Sequence, residues 1–386
     1  MLLSQKIVRL EHQLLLQCVG PNRGPATFEK IRTLIEEQVD WAYLYLLARR
    51  HAVLPLLYST LQECADVMPL NEFQRFQAAY QENVARNVLM TAEMKRLIGL
   101  LADKGIEAIP YKGPALALFA YGDVALRSFV DLDLMVRKED AGRGIAVLLD
   151  DGYDLAHELT DAQKDLLLST QHNLQFRRHN RQLIVELHWQ VASHHFAGSV
   201  QAEELWRELT TLEFEGMIVK TMSVNDLLFS LTVHGSRHCW ERLMWLCDIA
   251  WLASRHEPDW ELLLQRAKET KNERMFLLGL YLCANLLRLQ LPDSVYAELS
   301  RDPQLEKLSV TIVEGLFSGV VHKPATPMEI FRYNLNIRKS WSSRAHYLRY
   351  MLKPTDGDVH AIVLPKRLAF AYYLARPLRV IFRHER

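Results

Sequence analysis

The residues Ile106-Glu-Ala-Ile-Pro-Tyr111-Lys-Gly-Pro-Ala-Leu116 and, shortly after, Arg127-Ser-Phe-Val-Asp131-Leu-Asp133-Leu-Met-Val136 decide how this chain is read. Ile106 to Tyr111 is a short apolar run suited to a buried strand, and Lys112-Gly113-Pro114 makes the turn that follows it. A helix then starts at Ala115 and runs to Tyr121, with Pro114 placed where a helix start tolerates it. Asp131 to Val136 alternates acidic and apolar residues. Successive side chains of a strand point to opposite faces, so Asp131 and Asp133 share one face while Leu132 and Leu134 take the other.

Upstream of this pair of strands, apolar residues from Phe28 to Ala102 recur at three and four positions, broken near Pro55 and Pro69, which predicts a run of helices. Asn71 to Lys104 has no proline and one glycine, Gly99, and is rich in good helix formers. It predicts one long helix closed by a glycine cap at Gly105. Downstream, a helix from about Lys138 to Asp150 is weakened by Gly142 and Gly144, and Asp151-Gly152-Tyr153 turns the chain out of it. Asn173 to Arg178 and Gln182 to His188 flank the polar triplet His179-Asn180-Arg181 and predict an antiparallel hairpin that carries Glu186 on its second strand. A short strand pair falls between Leu212 and Met222, and helical periodicity returns from Val224 onward. The expected fold is α+β and predominantly α. A small mixed sheet in residues 105–222 is flanked by a helical block in residues 1–104 and another in residues 223–386.

Composition narrows the function classes. Of 386 residues, 49% are hydrophobic, enough for a sizeable core, and the 46 basic residues balance the 46 acidic ones, so no global field steers the chain toward nucleic acid or an anionic membrane. Sixteen Gly and fourteen Pro exclude a collagen-like or low-complexity chain. The five cysteines form no C-x-x-C pair and are odd in number, which fits neither a disulfide framework nor a zinc ribbon and points to reduced thiols in a cytoplasm. Glu11 and His12 interrupt the apolar N-terminal stretch, so it reads as an amphipathic helix and not an export signal, and no membrane-spanning stretch is expected. The neutral total hides an asymmetry. Residues 326–386 carry twelve Lys and Arg against four acids, and the aromatic, arginine-rich stretch 364–386 suits a helix covering the core, or peripheral contact with an anionic membrane or RNA.

Two carboxylates two residues apart on one strand, with Glu186 from another strand, form an oxygen-only set suited to Mg²⁺ or Mn²⁺ holding triphosphate oxygens. A bend with Gly113 ahead of a helix offers backbone N–H groups to phosphate. At these positions the chain resembles the polymerase-β-type nucleotidyltransferase superfamily, and more closely its branch of uncharacterised bacterial nucleotidyltransferases. Four ordered pieces carry the resemblance over roughly residues 30–255: Lys112-Gly113 with Leu116; Arg127 with Asp131 and Asp133; Glu186 with His188 and Trp189; His234-Gly235 with His238, Trp240, Trp245 and Asp248.

The resemblance implies that Asp131 and Asp133 bind both metals and that Glu186 binds the catalytic metal and can act as base. It also implies that Gly113 cradles the β,γ-phosphates, with Lys112 and Arg127 as counter-charges. The implied reaction is Mg²⁺-dependent transfer of a nucleoside monophosphate from an NTP, ATP favoured, to a hydroxyl or phosphate of a small molecule or modified peptide. Nucleic acid ranks lower as acceptor because the basic excess lies at the far C-terminus. Pro114 departs from the superfamily pattern, which has a small hydroxyl or a second glycine there, and removes one N–H donor. That departure favours the rival expectation, a catalytically silent accessory protein of a biosynthetic operon that binds nucleotide or a partner.

Bland readings stand beside these. Glu186 can pair with Arg177 or Arg178, and Arg127 with Asp123 or Asp131. His234 and His238, one helical turn apart, lack a third zinc ligand and are expected to pack with His188 and the tryptophans, with Asp248 as a hydrogen-bond partner. His194 and His195 read as loop residues. The D-x-D of a sugar-nucleotide glycosyltransferase is disfavoured because a helical block stands where that fold needs a βαβ region.

Overall fold

A computed structural model describes residues 7–155, 160–178, 183–191, 202–214, 216–321 and 326–351. Helices α1 (Leu10–Val19), α2 (Pro25–Ile35), α3 (Trp41–Arg50), α4 (Leu54–Leu61) and α5 (Leu70–Asp103) precede the first strand. Proline in the first turn starts α2 and α4, where the missing N–H is not needed. The 34 residues of α5 span about 51 Å at 1.5 Å per residue. The helix closes as expected. Gly105 takes φ +67° while its N–H reaches Ala102 O and the Ile106 N–H reaches Leu101 O, at 2.8 and 3.0 Å.

The middle of the chain runs β1 (Ala108–Pro110), α6 (Gly113–Leu116) continued by a π-helical turn Ala117–Tyr121, β2 (Asp131–Val136), α7 (Ala141–Asp150), β3 (Asp154–Leu155), α8 (Asp161–Thr170), β4 (Asn173–Arg178) and β5 (Leu183–His188). A short α9 (Ala202–Leu205) and the hairpin β6 (Leu209–Phe214) and β7 (Met217–Met222) follow. Helices α10 (Val224–Arg237), α11 (Leu243–Arg255), α12 (Trp260–Glu269), α13 (Glu273–Leu287), α14 (Asp293–Ser300), α15 (Gln304–Leu316), α16 (Pro327–Asn336) and α17 (Trp341–Met351) complete the described chain. The fold is α+β and predominantly helical. The triplet His179-Asn180-Arg181, the pair His194 and His195, and the basic stretch after Met351 lie outside the described residues. Among the described residues no helix is long and apolar enough to cross a membrane.

The strand order of the main sheet is β1-β2-β5-β4-β3, mixed because β2 and β5 run parallel while every other neighbour pair is antiparallel. Alternation sorts the faces of β2. Leu132, Leu134 and Val136 enter one core with Val185 and Leu187 of β5, covered by Met94, Leu97 and Leu101 of α5 and by Ile145 and Leu148 of α7. Gly144 lets α7 lie close, since a Cβ there would stand 3.1 Å from Leu187 Cδ2, whereas Gly142 faces open space. A second core takes Leu14, Leu57 and Phe76 from the first helices and Leu228, Leu246, Phe276 and Val313 from the last, so the two ends of the described chain share one apolar interior. Each such side chain contributes about 1.5–3 kcal/mol by leaving water.

Trp240 is the keystone of this second core. It is fully buried, and a methyl added at Gly235 would run into its six-membered ring. Gly235→Ala improves helix propensity by about 1 kcal/mol, but overpacking against a rigid indole costs about 1–3 kcal/mol. A net loss of stability is expected, read as a lower urea midpoint.

Candidate active site

The parallel pairing of β2 and β5 sets Asp133 directly opposite Glu186. Asp131 stands one pleat before Asp133 and His188 one pleat after Glu186, so all four side chains belong to the same sheet face. This face, turned from the sheet's own core, opens into a cavity of about 370 Å³. Lys112, Arg127, His234, Arg237 and Trp245 form parts of its other walls.

Asp133 is 5% exposed. Its Oδ1 lies 3.0 Å from His188 Nε2 and 3.4 Å from Lys112 Nζ. Burial alone would push its carboxyl up, but the Lys112 charge and the His188 hydrogen bond hold it well below the usual carboxylate range. Glu186 accepts from Asn173 Nδ2 at 2.8 Å and from Gln175 Nε2 at 3.4 Å, and lies 3.3 Å from His188 Nε2. Its carboxyl is lowered because the His188 hydrogen bond and charge outweigh burial. His188, pressed by burial toward the neutral form, is raised by hydrogen bonds and charge from the same two carboxylates, and its Nε2 stands between them. The Tyr111 hydroxyl stands 3.1 Å from its Nδ1.

Asp131 differs. Burial, together with the charges of Asp133 and Glu186, pushes its carboxyl up to about 6. The three acids therefore crowd one another, and the local cations spend themselves on Asp133 and Glu186.

Lys112 also approaches His234 Nδ1 at 3.4 Å, joining the sheet to α10. Gly113 is buried behind it and takes φ +53°, with a Cβ position 3.3 Å from Asp131 O. Its lack of a side chain lets two backbone segments pass, but it does not reach the cavity wall. The Arg127 guanidinium is committed to Asp248 on α11, with Nε and Nη2 donating to Oδ1 and Oδ2 at 2.9 and 3.0 Å. Tyr121 OH donates to the same carboxylate at 2.7 Å. Neither Asp123 nor Asp131 is this arginine's partner; Asp123 instead caps the Ala125 N–H at 2.8 Å. The Arg127 carbonyl accepts from Asn87 Nδ2 at 2.8 Å and from Asn83 Nδ2 at 3.4 Å, which straps the segment before β2 to α5.

His234 and His238 meet at 4.7 Å between ring centroids and both pack on Trp245, at 5.6 and 5.2 Å. Burial, then nearby cations, drives both toward the neutral form, His238 down to about 4. They line the cavity, as does His172, which lies 3.1 Å from Arg237 Nη1. Among the described residues, the group whose ligand atoms converge for a metal ion is Asp133, Glu186 and His188. Reading His188 only as a packing residue missed this, although the alternation Glu186-Leu187-His188 already puts the ring beside the carboxylate.

A divalent cation fits these residues. The carboxylate oxygens of Asp133 and Glu186 suit hard ions, the His188 imidazole adds a softer nitrogen donor in its neutral form, and the raised Asp131 carboxyl marks crowded negative charge at the same face.

No curated protein matches the chain. A protein-family model described as "Uncharacterised nucleotidyltransferase" matches residues 37–288. That span exceeds half of the chain and contains each of the cavity residues named above. Sheet, acids and helical wall thus fall within one familial unit, and the chain belongs to this family of nucleotidyltransferases.

Proposed function

We propose that the protein transfers a nucleoside monophosphate from an NTP, ATP favoured, to a hydroxyl or phosphate of a small molecule or modified peptide, using Mg²⁺ or Mn²⁺. The observation that carries this reading is the parallel register that sets Asp133 against Glu186, with Asp131 on the same face of one cavity. Asp131, Asp133 and Glu186 would hold the metal, which when bound neutralises phosphate charge and lowers the pKa of the acceptor hydroxyl. Lys112 faces the donor phosphates from the turn before α6. The acceptor oxygen attacks the α-phosphorus, the bond to the β-phosphate oxygen breaks, pyrophosphate leaves, and Glu186 takes the acceptor's proton. Arg127, held by Asp248, acts from the floor of the cavity, and Gly113 sets the backbone path that places Lys112.

One observation favours the rival reading, a catalytically silent accessory protein that binds nucleotide or a partner. His188 Nε2 lies 3.0 Å from Asp133 and 3.3 Å from Glu186, so a protein side chain occupies the space between two of the acids. The deciding experiment incubates the purified chain with each α-³²P-labelled NTP, Mg²⁺ or Mn²⁺, and cell extract as acceptor pool. Label passing to an acceptor with the wild type, and not with Asp131→Ala/Asp133→Ala, supports transfer. Metal-dependent NTP binding without transfer supports the accessory role, and absence of both removes the active-site reading.

The crowding of acids has a measurable signature. Asp131→Asn removes one like charge and is expected to stabilise the metal-free protein at pH 7 by about 1–2 kcal/mol. Thermal melts in EDTA test this. Mg²⁺ is expected to raise the wild-type midpoint, and the variant's less.

A further inference from the structure

Beyond Arg242 the acid cavity is adjoined by a second cavity of about 400 Å³, lined by Arg49, Arg50, Glu241, Arg242 and Val320. Arg242 lines both. Three arginines and a single glutamate line it, an excess of two positive charges that matches a phosphate dianion better than a carboxylate monoanion.

The wall between the cavities is fixed in place. His51, next to Arg50, accepts the Leu243 N–H on its Nδ1 at 3.3 Å, and its carbonyl accepts the Met244 N–H at 3.3 Å, so the end of α3 and the start of α11 keep one spacing. Its Nε2 lies 3.0 Å from Leu316 O. Arg50 is braced by the carbonyls of Gly315 and Gly319. Arg49 and Arg242 are exposed.

The backbone at this junction is strained. Ala52, Cys239 and Trp240 take φ of +57°, +51° and +56°, and these left-handed residues flank Arg50 on one side and Arg242 on the other. Non-glycine residues stay in that region only where surrounding contacts hold them, and such positions gather at ligand-binding sites.

We propose that Arg242, Arg49 and Arg50 form a phosphate-recognition subsite for the acceptor, making the acceptor a phosphorylated small molecule. The inference rests on the nucleotidyl-transfer reading of the adjoining acids. Lys112 and Arg237 already lie inside the acid cavity for the donor's phosphates. The arginines beyond Arg242 therefore serve the other substrate.

The test uses the full chain, wild type and Arg49→Gln, an exposed position that lines the second cavity and not the acid cavity, so its replacement leaves the core intact. Calorimetry with inorganic phosphate is expected to show binding to the wild type, weaker binding of acetate, and a loss of about tenfold or more for phosphate in the variant. A fluorescent ATP analogue with Mg²⁺ is expected to bind both proteins within about twofold. The proposal is overturned if the wild type binds no phosphate, if the variant binds it unchanged, if acetate binds as tightly as phosphate, or if the ATP analogue weakens in the variant as much as phosphate does. Arginine-dependent phosphate binding with no ATP-analogue binding to the wild type would strike the nucleotidyl-transfer reading and leave the subsite standing.

Discussion

Asp133→Asn is expected to lower the rate of labelled-nucleotide transfer by about 10²–10³-fold while leaving the protein folded. The asparagine keeps the shape of the side chain but supplies no charge to Lys112 at 3.4 Å or to the His188 imidazole at 3.0 Å. Asp133 is also the carboxylate most firmly held in its charged form, so its replacement removes a full negative charge from the cavity. Asp131 carries a weaker hold on its charge at neutral pH, so Asp131→Asn is expected to stabilise the metal-free protein whereas Asp133→Asn destabilises it. The measurement is initial rate against NTP concentration in the extract-supplemented assay. A variant that retains the wild-type rate would remove Asp133 from the chemistry.

Asp248→Asn is the substitution expected to harm stability most, by about 3–5 kcal/mol, because it leaves a buried arginine without its counter-charge. Asp248 is fully buried and Arg127 is 6% exposed, so neither can turn to water. The Tyr121 hydroxyl, itself buried, loses a carboxylate acceptor at the same time. The effect is read as a shift in the urea midpoint. The double replacement Arg127→Met/Asp248→Leu is expected to recover much of the loss, since a matched apolar pair avoids the stranded charge.

Much of this architecture is legible in local sequence. β2 occupies Asp131–Val136, the residues whose alternation announces it, and α5 differs from its expected bounds by one residue at each end, with the glycine cap at Gly105 in place. These elements rest on short-range physics: side-chain alternation in the strand, helix propensity in α5, and a left-handed residue at its end. What local pattern cannot carry is the partner of β2. Asp133 meets Glu186 only because β5 adds to β2 in parallel, a pairing set by how the intervening α7, α8 and β4 pack. Arg127 makes the same point. The sequence neighbours Asp123 and Asp131 are the partners that proximity suggests, whereas the actual carboxylate lies 121 positions away on α11. The second cavity is hidden from local pattern for a related reason, since it brings Arg49 of α3 beside Arg242 ahead of α11, two residues far apart in the chain.

The long helix α5 carries a consequence for how the molecule comes apart. Its first half contributes Phe76 to the helical core, its second half contributes Met94, Leu97 and Leu101 to the core under the sheet, and Asn83 and Asn87 between them grip the segment that leads into β2. Helix formation is cooperative, so melting either end of α5 frays the rest. Heat that dissolves one core is expected to withdraw a wall from the other, and the grip on the segment leading into β2 loosens in the same event. The two cores are expected to open as one cooperative unit, with the alignment of the acids lost when α5 comes free.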